Sequence, residues 1–138
     1  MQIILDDNVI ISAMISKEGS PAKIMREWLR GSFEIIISQK LLEELGRVLT
    51  YPKLQKYTTQ SDIDNIINLL SEEGVSIEDA ELPSEIFSKD PDDNYLIALA
   101  LRTKSMIVTG DLDLLSLSNK IPIFSPVDFL EKILEPSD

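Results

Sequence analysis

The residues of this chain best equipped for chemistry are carboxylates, and four stretches hold them at the borders of apolar segments. "ILDDN" puts Asp6 and Asp7 directly after a β-branched run, and "EELGRVL" carries Glu43 and Glu44. "DPDDNYLIALAL" sets Asp90, Asp92 and Asp93 ahead of an almost wholly apolar helix, and "VTGDLDLL" supplies Asp111 and Asp113. Carboxylates aimed together at one crevice repel one another unless a cation stands between them. Acids outnumber Lys and Arg 24 to 13, so a bound divalent cation is a natural partner for an inward-facing member of the set. With no His and no Cys, the chain has no imidazole acid–base chemistry, Ser-His triad, thiol nucleophile, disulfide or usual zinc site. Carboxylates, hydroxyls, Lys, Tyr and metal remain.

Helical geometry sorts these acids. Asp90 suits an N-cap with Pro91 at the first helical position, and Asp92 lies near the positive end of the helix dipole. Asp93 falls on the face of Leu96, Ile97 and Ala100, which points its carboxylate toward the interior. On the helix predicted over 39–49, Leu41, Leu42, Leu45, Val48 and Leu49 form one apolar arc; Glu44 lies at its edge and Glu43 points away. Asp6 reads either as a loop-starting acid or as a ligand, and Asp113 either as a turn former or as a further acid of the site.

The elements that must position them read as α/β. "QIIL", "FEIII", "VSIED", "SMIVTGD" and "IPIF" are strand-like. "NVIISAMIS", "PAKIMREWLR" ending at Gly31, "QKLLEELGRVL" capped by Ser38, "SDIDNIINLLSEEG" and "PVDFLEKIL" starting on Pro126 have helical spacing. The pattern predicts a three-layer α/β/α fold with a central, mainly parallel sheet and a single domain over 1–138. In such sheets ligands bind beyond the carboxyl ends of the strands, where Asp6, Asp7 and Asp111 fall, with Gly110 expected to allow close approach or an unusual turn. No run reaches membrane-spanning length, and "MQIILDDNVI" lacks the flanks of a signal peptide, so a cytoplasmic protein is expected. A net charge of −11 disfavours broad attraction to nucleic acid or anionic membrane, while leaving room for a local basic patch.

Taken in order, "ILDDNVIISAMI", "SQKLLEELGRVL", "DPDDNYLIALAL" and "VTGDLDLL" resemble the four acidic segments of PIN domains, and "IPIFSPVDFL" resembles the closing strand and helix of the branch assigned to toxin components of toxin–antitoxin systems. The resemblance runs through nearly the whole chain. It implies a PIN-like fold and a Mg²⁺- or Mn²⁺-dependent ribonuclease whose catalytic and metal-holding acids are Asp6, Glu44, Asp93 and Asp111. Asn8 and Thr109 match supporting positions, and Asp113 a further acid. One departure is Asp7, which stands where the family usually has Thr or Ser. The resemblance also implies a small antitoxin partner and a homodimer.

"YPKLQKY" offers Tyr51, Lys53, Lys56 and Tyr57 after the Glu44 helix, a mix of phosphate-pairing charge and stacking rings expected to border the RNA path, or else an ordinary solvated loop. Two rivals stand beside the ribonuclease. A receiver-like phosphoacceptor domain shares the paired acids of "ILDDN", but its middle strand must be followed by an Asp, and here "FEIIIS" ends on Ser38. The other is a catalytically silent metal- or partner-binding PIN-like module.

Overall fold

Consecutive β-branched and aliphatic residues dictate the centre of the molecule. In the computed structural model, which describes residues 1–81 and 93–134, Ile3, Ile4 and Leu5 are all fully buried, and Ile35, Ile36 and Ile37 nearly so. Neighbouring residues of a strand point to opposite faces, so unbroken burial means that both faces of the sheet are covered. The sheet is therefore the middle of three layers.

Five strands are described: β1 (Gln2–Leu5), β2 (Glu34–Ile37), β3 (Val75–Ser76), β4 (Met106–Val108) and β5 (Ile123–Phe124). They form one sheet in the order β3-β2-β1-β4-β5, every pair parallel. The chain steps outward from β1 through β2 to β3, and β4 then comes back beside β1, with Leu5 opposite Val108. The point where the order reverses lies at the carboxyl ends of β1 and β4, where a crevice opens between diverging connections. A receiver domain has the order 2-1-3-4-5, so the strand order removes that rival.

The helices are α1 (Asp7–Ile15), α2 (Ser20–Leu29), α3 (Gln39–Leu49), α4 (Gln60–Glu73), α5 (Asn94–Thr103), α6 (Leu112–Leu115) and α7 (Pro126–Asp128), with a 3₁₀ turn at Pro52–Leu54. α1 packs on α2 and α3, α3 on α4, and α5 against β4. Helix α3 starts where expected, because Ser38 Oγ accepts the Leu41 N–H at 3.2 Å. Helix α2 stops at Gly31, whose φ of +87° most side chains avoid.

Several expectations need correction. Helix α4 begins ahead of Ser61, because Thr59 and Asp62 form a reciprocal capping box at 3.1 and 2.8 Å. The closing helix starts on Pro126 but widens into a π-helical turn over Phe129–Leu134. Gly110 has no positive φ, and a Cβ there would meet no atom of the chain within 4 Å, so it makes no unusual turn. The cap expected from Asp90, Pro91 and Asp92 lies outside the described residues; α5 begins at Asn94 with Asp93 in the N-cap position. Among the described residues no helix is long and apolar enough to cross a membrane.

Candidate active site

Strand β1 ends at Leu5, and the next residue is anchored at once: the Asp6 N–H donates to Val108 O at 3.0 Å, tying the end of β1 to the end of β4. The Asp6 side chain is only 2% exposed. Its Oδ2 accepts a hydrogen bond from Thr109 Oγ1 at 2.7 Å. The same Thr109 oxygen accepts the Asp111 N–H at 3.0 Å, and Asp111 Oδ1 accepts the Asp113 N–H at 2.9 Å. One buried threonine thus fixes the acid after β1 and the turn that presents the acid after β4. Asp111 doubles as the N-cap of α6, which leaves its other carboxylate oxygen to the cleft.

The cleft that opens here, about 260 Å³, is lined by Asp7, Asn8, Glu44, Arg47, Val48, Tyr51, Lys53, Asp93, Tyr95 and Asp111. Four elements of the fold converge on it: the start of α1, the exposed edge of α3 with the turn after it, the N-terminus of α5, and the end of β4. The separation of adjacent glutamates expected from helical spacing appears in the structure, since Glu44 borders the cleft while Glu43 is exposed and accepts a bond from Gln39 Nε2 at 2.9 Å. Asp93 also faces the cleft.

The electrostatics follow from this crowding. Burial is the main force that pushes the Asp7 carboxyl up to about 8; a hydrogen bond to Asp6 and the charges of Asp6 and Glu44 push the same way, against the Asn8 N–H. A neutral Asp7 therefore donates its proton to Asp6 near pH 7. Tyr95, 8% exposed, is held well above the usual tyrosine range, first by burial and then by Asp7, Asp6, Glu44 and Asp93. Lys40 Nζ stands 5.5 Å from the centroid of the Tyr95 ring.

The donor set suits a hard divalent ion in kind: carboxylate oxygens only, partly buried, with Asp7 and Asp6 close enough to share a hydrogen bond. It is not closed, however. Among the described residues no three acids are gathered at ion-ligating spacing, and Glu44 bonds Arg47. Asp6, Glu44, Asp93 and Asp111 would each supply an oxygen, Glu44 on leaving Arg47.

Placement of the supporting residues is mixed. Thr109 has the central position just described. Asn8 lines the cleft with an exposed side chain, and its observed bond is from its backbone N–H to Asp7 rather than to Asp6. Asp113 acts on Asp111 through its backbone N–H. Lys53 and Tyr51 reach the cleft, whereas Lys56 is not among its lining residues and Tyr57 borders a different one with Met14 and Ile66. The sequence reading overlooked Arg47 and Tyr95. Arg47 stood three residues after Glu44 on the same helix face, and Tyr95 one helical turn before Leu99, so spacing could have found both.

The PIN domain family model matches residues 2–113. An uncharacterized protein of Methanocaldococcus jannaschii is 31% identical over 96% of this chain and 91% of its own length. Among solved structures, a chain of VapBC2 from Rickettsia felis, bound to a DNA fragment from its promoter, gives a TM-score of 0.63 at 20% identity over 89% of this chain and 97% of that one. VapBC-1 from nontypeable Haemophilus influenzae gives 0.59 at 16% identity over 92% and 99%. At such identities the structural likeness speaks for the fold. Together with the match over most of the chain, it establishes that the protein belongs to the PIN-domain family, a family of nucleases.

Proposed function

We propose that the protein is a Mg²⁺- or Mn²⁺-dependent endoribonuclease that hydrolyses RNA phosphodiester bonds, and that it is the toxin of a toxin–antitoxin pair. The observation that carries this reading is the convergence of Asp7, Glu44, Asp93 and Asp111 on one cleft beside the buried Asp6. So much inward negative charge at a sheet's switch point has little use in folding and a direct use in holding cations. Likeness to VapBC structures supports the toxin assignment, a small antitoxin partner and a homodimer.

In this reading Asp6, Glu44, Asp93 and Asp111 are the ligands. When bound, divalent ions supply an activated water and the charge that offsets negative build-up at phosphorus and at the leaving oxygen. The chain's own residues do the rest. Thr109 keeps Asp6 oriented through its hydroxyl and Asp111 through its backbone, so these two acids stand ready without reorganisation. Glu44 and Asp93 approach from the opposite helices and set the width of the cleft. Tyr95 lines the cleft with a hydroxyl that keeps its proton, leaving it a donor among acceptors. Lys53 on the rim meets the RNA backbone as a point charge.

One observation favours the second reading, a PIN-like module that binds metal or a partner without hydrolysis: the acids are not at ion-ligating spacing among the described residues, and Glu44 is engaged by Arg47. Cleavage of a mixed RNA pool in Mn²⁺ or Mg²⁺, wild type beside Asp93→Asn, decides between the two. Metal-dependent cleavage that disappears in the variant supports the ribonuclease. Mn²⁺ binding by the wild type with no cleavage of any RNA in the pool supports the silent module.

A further inference from the structure

The four acids proposed as ligands are not held alike. Asp6 is fixed by a buried hydroxyl and Asp111 by its own turn, both parts of the rigid end of the sheet. Glu44 is oriented instead by a cation on the same helix. Arg47 Nη2 donates to Glu44 Oε1 and Arg47 Nη1 to the Tyr51 hydroxyl, while its guanidinium carbon lies 5.6 Å from the centroid of the Tyr51 ring. Arg47, Tyr51 and Lys53 line the cleft together. The guanidinium is thus anchored by a ring and a hydroxyl that a phosphate would leave in place, and by a carboxylate that a phosphate would replace.

Resting on the ribonuclease reading, we propose that Arg47 is a positioning residue that couples metal binding to RNA binding: it competes with the divalent ion for Glu44, and an RNA phosphate draws it away. The chemistry is matched on both sides, since the planar fork of a guanidinium pairs with carboxylate or phosphate oxygens in the same geometry. The energetics are matched as well. The Arg47 side chain is 54% exposed and that of Glu44 27%, so the pair is partly solvated and easily exchanged. Releasing Glu44 restores a carboxylate to the metal set at the moment when Arg47 reaches the phosphate. By reciprocity, whatever factor RNA adds to metal affinity, metal adds to RNA affinity. Lys53 cannot do this, because the same exchange requires a cation that begins on a ligand.

The test is a Mn²⁺ titration of the full chain followed by electron paramagnetic resonance, alone and with a short oligodeoxythymidylate whose integrity is checked on a gel. Wild type is compared with Arg47→Gln, Glu44→Gln, the double variant and, as a control for the metal site, Asp93→Asn. Arg47→Gln alone binds Mn²⁺ more tightly, by up to about fivefold, the most that a solvated pair of this kind withholds. The factor by which the oligonucleotide tightens Mn²⁺ binding shrinks by a similar amount. In the Glu44→Gln background, removing Arg47 leaves that factor unchanged. An unchanged factor in Arg47→Gln overturns the proposal, and so does an equal gain in both backgrounds, which reduces Arg47 to a general positive charge. Failure of Asp93→Asn to weaken Mn²⁺ binding is a different result: it removes the metal-site reading itself.

Discussion

Two clefts open along the carboxyl edge of the sheet, and they differ in the way that separates a site from a hollow. The larger, about 700 Å³, lies between α3 and the end of β3 and is lined by Ser38, Glu43 and Asp79 among others. Its acids are exposed or spent on structure: Glu43 pairs with Gln39, and Asp79 Oδ2 accepts the Lys40 N–H at the start of α3. The smaller cleft, at β1 and β4, holds Asp7, which burial and the neighbouring Asp6 and Glu44 raise to about 8. Size follows from where helices part company. Chemistry follows from charge kept out of water, which is expensive and therefore informative.

The sharpest way to break this comparison is to remove acids from each cleft one at a time. Asp93→Asn and Asp6→Asn should lower RNA cleavage by at least about 100-fold, more than the loss of an outer partner of a metal ligand usually takes. Glu43→Gln and Asp79→Asn should leave the rate within about twofold, as expected for groups that meet no reacting atom. Comparable losses from both pairs would mean that the larger cleft takes part in the reaction.

Hydroxyls give a finer contrast. Thr109 and Ser38 follow β4 and β2 at equivalent places, and both are buried. Thr109→Val keeps the shape but leaves Asp6 without its donor and the Asp111 N–H without its acceptor, so stability falls by about 1–3 kcal/mol and cleavage by about 10- to 100-fold. Ser38→Ala removes only the cap of α3, for about 1 kcal/mol in denaturant unfolding and no specific loss in kcat. Equal kinetic effects would make Thr109 merely structural.

The two clefts were not equally legible in the sequence. Runs such as "QIIL" and "SMIV" declare buried parallel strands, and the acids that follow them must then lie at the carboxyl edge. Helical spacing was enough to tell Glu44 from Glu43. What spacing could not give was partnership. That Thr109 would bridge Asp6 and Asp111 depends on β4 returning beside β1, a pairing between residues about a hundred positions apart. Gly110 misled for the opposite reason: a glycine beside a catalytic-looking acid invites an unusual turn, and the backbone makes none there. Arg47 was visible as an i, i+3 partner of Glu44 but looked like any surface pair until Tyr51 fixed its other edge.

The departure at Asp7 predicts a pH dependence of the smaller cleft alone. Its pKa is raised in the folded protein, so between the unfolded value near 3.8 and about 8 the folded chain holds a proton that the unfolded chain has released. The stabilisation is complete below the lower value and is lost as pH rises toward the upper one. With chelator present, the Tm of the wild type should fall between pH 5 and 8, by several degrees for a domain of this size. Asp7→Asn should flatten that slope and raise Tm at pH 8. Added Mn²⁺ should stabilise the wild type more at pH 8 than at pH 6, because ion and proton exclude one another. An identical slope in Asp7→Asn would assign the pH dependence elsewhere.

The smallest expected effect separates two lysines three residues apart. Lys53 lines the acid cleft and Lys56 does not, although "YPKLQKY" presents them as equals. If the RNA backbone follows the cleft, Lys53→Ala weakens RNA binding a few-fold across sequences and reduces the salt dependence by about one counterion, while Lys56→Ala changes neither. Filter binding of a single-stranded RNA at two salt concentrations reads both quantities, with Asp93→Asn as the background so that no substrate is consumed. Equal losses would move the RNA path outward, over the turn after α3 and toward the groove where Tyr57 stands beside Met14 and Ile66. A loss confined to Lys53 keeps the RNA on the same side of the turn as Arg47, which is where an exchange of Glu44 for phosphate needs it.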